Sequence, residues 1–240
     1  MPQRPEDADV ETSSDGYAQR FAGPVGRFFL DVQARATLDL LESWPRARVL
    51  DVGGGHGQVV GPLVEAGYDV TVYGSSPLCG ARLRSWTDAA RARFVSGELL
   101  RTPFANRAFD VVVSYRLLPH VARWPELVAE LARLARAAVV VDYPTSKSAN
   151  AVADAFFGLK KQVEGNTRPF TVFRDSEVAE AFAGAGFRPT GQRPEFFVPM
   201  ALHRALGSAA ISRGLEGLSS ALGLTRRFGS PVVARFEREA

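Results

Sequence analysis

The stretch that most limits what this chain can fold into is Arg48-Val49-Leu50-Asp51-Val52-Gly53-Gly54-Gly55-His56-Gly57-Gln58. Val49 to Val52 is an apolar run with one embedded acid, which reads as a buried parallel strand. The glycines behind it let the backbone turn sharply, and a helix is expected from about Gly57. A strand-to-helix turn of this kind presents backbone N–H groups and a helix N-terminus at the carboxyl edge of an open α/β sheet. Three glycines cost ordering entropy and stabilise nothing themselves, so a ligand carrying a sugar or a carboxylate is expected there.

The spacing of those glycines separates two kinds of cofactor. A dinucleotide loop is written G-x-G-x-x-G, whereas Gly53, Gly55 and Gly57 fall as G-x-G-x-G, and Gln58 stands where the third fingerprint glycine is needed. Asp51 argues the same way, because a carboxylate just before the glycines accepts hydrogen bonds from a cationic or hydroxylated ligand and repels phosphate. The stretch V-L-D-V-G-G-G-H-G resembles motif I of the class I S-adenosylmethionine (SAM) dependent methyltransferases, of the quinone-pathway type. That resemblance implies a Rossmann-like α/β domain with a seven-stranded sheet in the order 3-2-1-4-5-7-6 and helices on both faces. It also implies SAM as cofactor, with Gly53, Gly55 and Gly57 beside it.

Composition supports one soluble catalytic domain. With 240 residues, 46% hydrophobic and 23% charged, the chain can bury a full core. Its net charge is +3 and lysine occurs only at Lys147, Lys160 and Lys161, with no run of five like charges, so nucleic acid ranks below a small molecule as partner. Cys79 is the single cysteine, which excludes internal disulfides and cysteine-built zinc sites, and no metal is expected. The polar N-terminus, residues 1–15, is expected to be disordered and carries neither a signal peptide nor a membrane span; a cytoplasmic enzyme follows.

Along the chain, Phe28, Phe29, Val32, Ala36, Leu40 and Leu41 recur at helical spacing and predict a helix ahead of the first strand. By the family resemblance, Tyr17 and Arg20 close over the methionine end of SAM. Strand two, Asp69 to Tyr73, runs into Gly74-Ser75-Ser76, so glycine occupies the place where the family usually has an acid gripping the ribose hydroxyls. Ser75 or Ser76 and the Gly74 backbone are the local substitutes. The same loss favours a rival, an NADP-linked oxidoreductase holding a 2′-phosphate with Ser75 and Arg82, which the glycine spacing opposes. A non-catalytic SAM-binding protein is the other alternative.

After strand three, Glu98 and Leu99 match the family position that frames adenine. Strand four ends in Ser114-Tyr115-Arg116, followed by Leu117-Leu118-Pro119-His120, and strand carboxyl ends face the crevice. Ser114 and Tyr115 are therefore cofactor candidates, Arg116 a substrate candidate, and His120 a base if the acceptor must lose a proton. Tyr143 ends strand five and is a further substrate candidate. Beyond it, an expected helical insertion over about 145–171 contributes Lys160, Asn166, Arg168 and Phe170 to the substrate side and Glu164 as a second base. A strand is expected around Glu195 to Val198 and the last at Pro231 to Phe236. Between them lies a helical insertion, residues 200–229, with Leu202, Leu206, Ile211, Leu215, Leu218 and Leu222 among arginines; lid, homodimer surface and membrane-surface contact compete for its use. His203 at its entrance is a third candidate base.

Overall fold

The central strands are buried on both faces, as a parallel sheet covered by helices on either side must be, and this sets where the site lies. The structure, a computed structural model, describes residues 7–148 and 170–239. Its seven strands are β1 (Arg48–Val52), β2 (Asp69–Gly74), β3 (Ala92–Ser96), β4 (Phe109–Ser114), β5 (Ala135–Tyr143), β6 (Phe187–Pro194) and β7 (Val232–Arg238). They lie in the order β3-β2-β1-β4-β5-β7-β6, as expected. The first five are parallel, while β7 runs antiparallel to both β5 and β6.

Side chains of successive strand residues point to opposite faces. Leu50, Val52, Val112, Val139 and Val141 pack on one face under the helix Trp124–Leu134, whose Leu127, Val128, Leu131 and Leu134 are buried. Val49, Val70, Val72, Val111, Val113 and Val140 pack on the other, against Ala36, Leu40 and Leu41 of the helix Gly23–Leu41. Asp51, Tyr115 and Asp142 share this second parity, so at the carboxyl edge they come together beneath the start of that helix.

Three expectations need correction. Strand six is Phe187–Pro194, and Glu195 to Val198 lies just past its end. The strand reads poorly because it is an edge: prolines at 189 and 194 and a register shift between Pro189 and Gly191 are tolerated where one side of the ladder is open. The segment after Pro77, where the sequence predicts a helix from Leu78 to about Ala90, is instead a 3-10 run, Pro77–Leu83, ending in the short helix Arg84–Thr87, with Gly80 against the Phe94 ring where any side chain would collide. The N-terminus is not disordered through residue 15: Ala8–Thr12 is helical, with Ala8, Asp9 and Thr12 buried. A five-residue helix has little stability of its own. It is held by tertiary bonds, from the Ser75 amide to Asp9 (2.7 Å) and from Arg82 to Asp15 (2.6 Å).

The insertion is helical, in the pieces Met200–Leu206, Ala209–Ala221 and Leu224–Phe228, and the apolar stripe of its middle piece faces outward. Ser212, Glu216 and Ser219 face inward, while Ile211, Leu218 and Leu222 are exposed. The inward face is chosen by polar bonds: Glu216 accepts from the amides of Phe197 and Val198, and His203 joins Glu216 and Ser212.

Candidate active site

β1 delivers Asp51 to the floor of a backbone turn. Gly53 and Gly57 sit at φ 78° and 72°, where side chains are disfavoured, and a single 3-10 turn, Gly54–His56, spans them. The glycines between are dictated by contact rather than by torsion: a Cβ on Gly54 would overlap the Asp51 carboxylate, and one on Gly55 would overlap the Ser13 hydroxyl. Asp51 is fully buried, and neither of its oxygens has a hydrogen-bond partner among the described residues. Burial, reinforced by the Asp142 charge, pushes its pKa up to about 8. A buried carboxylate left without donors is costly unless a ligand supplies them. An amino acid or sulfonium nucleoside laid along this turn would do so, and these residues fit SAM on that ground.

Burial, then the Arg116 charge, lowers His56 to about 3, so the ring is neutral; its Nδ1 accepts the Gln58 amide.

The second half of the site gathers around Arg116. This residue follows β4 at φ 59°, an uncommon conformation for a non-glycine residue. Its amide donates to Asp142 at 2.6 Å, its Nε lies 3.6 Å from the other Asp142 oxygen, and its guanidinium stacks over Phe21. Glu195 is 5% exposed, and both its carboxylate oxygens lack hydrogen-bond partners among the described residues. Burial pushes Glu195 up to about 8 against the pull of Arg116, with Asp142 adding to the rise. Burial raises Asp142 as well, again opposed by Arg116. Two buried carboxylates with raised proton affinity thus stand beside one arginine, and Glu195 is the one whose protonation changes near pH 8.

Of the residues anticipated from sequence, the structure brings Asp51, the glycines, Tyr17 and Arg116 to one place. The Tyr17 hydroxyl is raised by burial in the fields of Arg116 and Asp142, whereas Arg20 stays outside, exposed, with its guanidinium over the Tyr17 ring. Ser114 donates to the Val52 carbonyl at 2.9 Å and so joins two strand ends. Tyr115 turns into the core and bonds Thr37, which corrects its assignment as a cofactor contact. Tyr143 is buried against Phe173 on the opposite face from Asp142, and Leu99 is buried in the same core, so neither side chain lines the crevice as expected. Glu98 is exposed; its carbonyl accepts from the Tyr73 hydroxyl. Ser76 caps the turn after β2 through the Leu78 amide.

His203 is corrected as a candidate base. It is fully buried among Phe28, Phe29 and Phe196, and both ring nitrogens are engaged at 3.0 Å, by Ser212 and Glu216. It is a structural pin. His120 is half-buried, its ring 5.5 Å from that of the partly exposed Phe170. Lys160, Glu164, Asn166 and Arg168 lie outside the described residues. Asp9, Asp142 and Glu195 were not anticipated as site residues; Asp142 alone carried a signal, being an acid near the end of an apolar strand just as Asp51 is.

The NADP alternative meets two obstacles. The Ser75 amide is taken by the Asp9 carboxylate and Arg82 by Asp15, so a 2′-phosphate would face a negative charge where it needs donors.

A methyltransferase domain model matches residues 50–140. Demethylmenaquinone methyltransferase of Beutenbergia cavernae is 31% identical over 192 residues, covering 71% of this chain and 78% of that protein. Among solved structures, magnesium protoporphyrin IX methyltransferase of Synechocystis with bound SAH superposes with a TM-score of 0.68 at 13% identity over 98% of each chain. A possible histamine N-methyltransferase of Thermotoga maritima gives 0.65 at 16% identity, covering 96% of this chain and 99% of its own. At such identities the structural likeness concerns the fold.

Proposed function

The chain belongs to the class I SAM-dependent methyltransferases, and we propose that it methylates a small molecule that gives up a proton as it receives the methyl group, with Glu195 as the proton acceptor. The observation that carries this reading is the buried Glu195 carboxylate, both of its oxygens without hydrogen-bond partners among the described residues, in the fields of Arg116 and Asp142. When bound, SAM supplies an electrophilic methyl on a sulfonium, and its transfer is an in-line displacement that depends mainly on alignment and exclusion of water. Asp51 and the glycine turn hold the amino-acid and ribosyl portion. Arg116, fixed by Asp142, keeps the acceptor anionic as its proton passes to Glu195. The name of the Beutenbergia relative supports a quinone-derived acceptor, which has such a proton in its reduced form.

No helix among the described residues is long and apolar enough to cross a membrane. A buried free thiol at Cys79 supports a reducing compartment, and the cytoplasm is the proposed location. The outward leucines of the insertion, flanked by Arg204 and Arg213, support contact with an anionic membrane surface that delivers an apolar acceptor.

Calorimetry with SAM, SAH and NADP tests the donor: SAM and SAH bind and NADP does not, and binding of NADP alone overturns the reading. Methyl transfer then rises from about pH 6 to about pH 9 as Glu195 ionises. A rising limb that persists in Glu195→Gln removes Glu195 from the role.

A further inference from the structure

The turn after β2 carries no acid, yet it is not without a carboxylate. Gly74 is the last residue of β2, and a Cβ built on it would stand 3.4 Å from Oδ2 of Asp9, a residue from the N-terminal helix Ala8–Thr12. That Cβ would collide first with Cys79, at 2.7 Å, and crowd Phe94, at 3.2 Å, so the strand end has no room for a side chain of its own, and the carboxylate beside it comes from sixty-five positions earlier. Asp9 is fully buried there. Its Oδ2 accepts the Ser75 amide at 2.7 Å and lies 3.5 Å from the Cys79 thiol, while its Oδ1 has no hydrogen-bond partner among the described residues.

This arrangement is expensive for a merely structural contact. The N-terminal segment is also fastened by Asp15 bonding Arg82, which needs no buried carboxylate, while Thr12 and Ser13 bond the Asp9 carbonyl within the segment itself. Burying a charged group with one oxygen unpaired favours an unfilled partner over a closed cap. The location narrows that partner. Across α/β nucleotide sites, the carboxyl end of the second strand is where a carboxylate meets ribose hydroxyls, because a vicinal diol offers two donors in the spacing a carboxylate accepts.

Resting on the methyltransferase reading above, we propose that Asp9 is the ribose-binding carboxylate of this protein, supplied from the N-terminal helix in place of the residue missing at Gly74. Asp9 Oδ1 accepts from a ribose hydroxyl, and the Ser75 amide holds Oδ2 in register. The N-terminal helix is thereby part of the donor site, and its order is coupled to ligand.

The test is calorimetric, with SAH and an SAH analogue lacking both ribose hydroxyls, on the full chain and its Asp9→Asn variant. Wild type is expected to bind SAH about 10- to 100-fold more tightly than the dideoxy analogue, the range for losing hydrogen bonds to a charged group. Asp9→Asn, which preserves shape and the Ser75 bond, is expected to weaken SAH by a similar factor and to lose most discrimination between the two ligands. Unchanged unfolding midpoint of the ligand-free variant excludes a folding defect as the cause. If Asp9→Asn discriminates the hydroxyls as well as wild type does, the proposal is wrong while the methyltransferase reading stands. If Asp9→Ala binds SAH more tightly than wild type, the segment competes with the cofactor and the proposal is likewise overturned. Failure of wild type to bind SAH at all defeats the methyltransferase reading itself.

Discussion

The two halves of the crevice are built by opposite means. The donor half, around Gly53 to Gly57, is shaped by backbone, with glycine required by left-handed torsions at Gly53 and Gly57 and by close contacts at Gly54 and Gly55. The acceptor half is shaped by side chains, with Arg116, Asp142 and Glu195 converging from the ends of β4, β5 and β6. A backbone cradle recognises a constant cofactor, whereas a side-chain cluster can be retuned for another acceptor by changing a few residues. The insertion illustrates the same division, since it is pinned inward by His203 and Glu216 and leaves its apolar stripe outward.

Substitutions can break this division at its charged end first. Glu195→Gln is expected to lower kcat by about 100-fold or more, the usual contribution of a positioned base, with the affinity for SAH unchanged. Steady-state methyl transfer together with SAH titration checks it; an equal fall in both would move Glu195 to the donor side. His203→Ala is expected to cost about 2–4 kcal/mol in urea unfolding, since it opens a cavity and strands Glu216 and Ser212, while SAH affinity of the folded fraction is retained. Loss of activity without loss of stability would restore His203 as a base.

At the backbone end, Gly54→Ala drives a methyl into the Asp51 carboxylate. About 1–3 kcal/mol of stability and most SAH affinity should be lost together. Survival of SAH binding in that variant would mean that the turn is not the cradle.

The smallest expected effect is a slope. Asp51 and Glu195 are raised in the folded protein to about 8 from ordinary values of 3.8 and 4.5, so their protonated forms favour the fold. That stabilisation is fully present below about pH 4 and disappears as pH climbs toward 8, at up to about 1.4 kcal/mol per pH unit for each group. Urea unfolding of the ligand-free protein across this window should show the decline from these groups, and Asp51→Asn should flatten its share. SAH, whose amino group pairs with the ionised carboxylate, should be bound with release of protons at pH 7.

How much of this could be read without coordinates differs between the two halves for the same reason. Strand β1, its embedded acid and the glycine turn are contiguous, and the torsions and close contacts that require glycine act within a few residues. The sheet order followed from the family resemblance that this motif carries. Edge strand β6 escaped because its prolines and polar residues obey only one side of a ladder. The inward face of Ala209–Ala221 escaped because three polar bonds outweighed an apolar stripe that periodicity alone favours.

From its own residues the chain determined a parallel α/β sheet, a glycine turn too short for a diphosphate loop, and the absence of an acid at Gly74. Only tertiary structure decided which groups fill the crevice, because burial and charge are properties of a place. Asp9, Arg116, Asp142 and Glu195 are ordinary surface-type residues along the chain. Folding withdraws them from water together: desolvation raises the proton affinity of the three acids, while the surrounding negative charges raise that of Arg116 against its own desolvation.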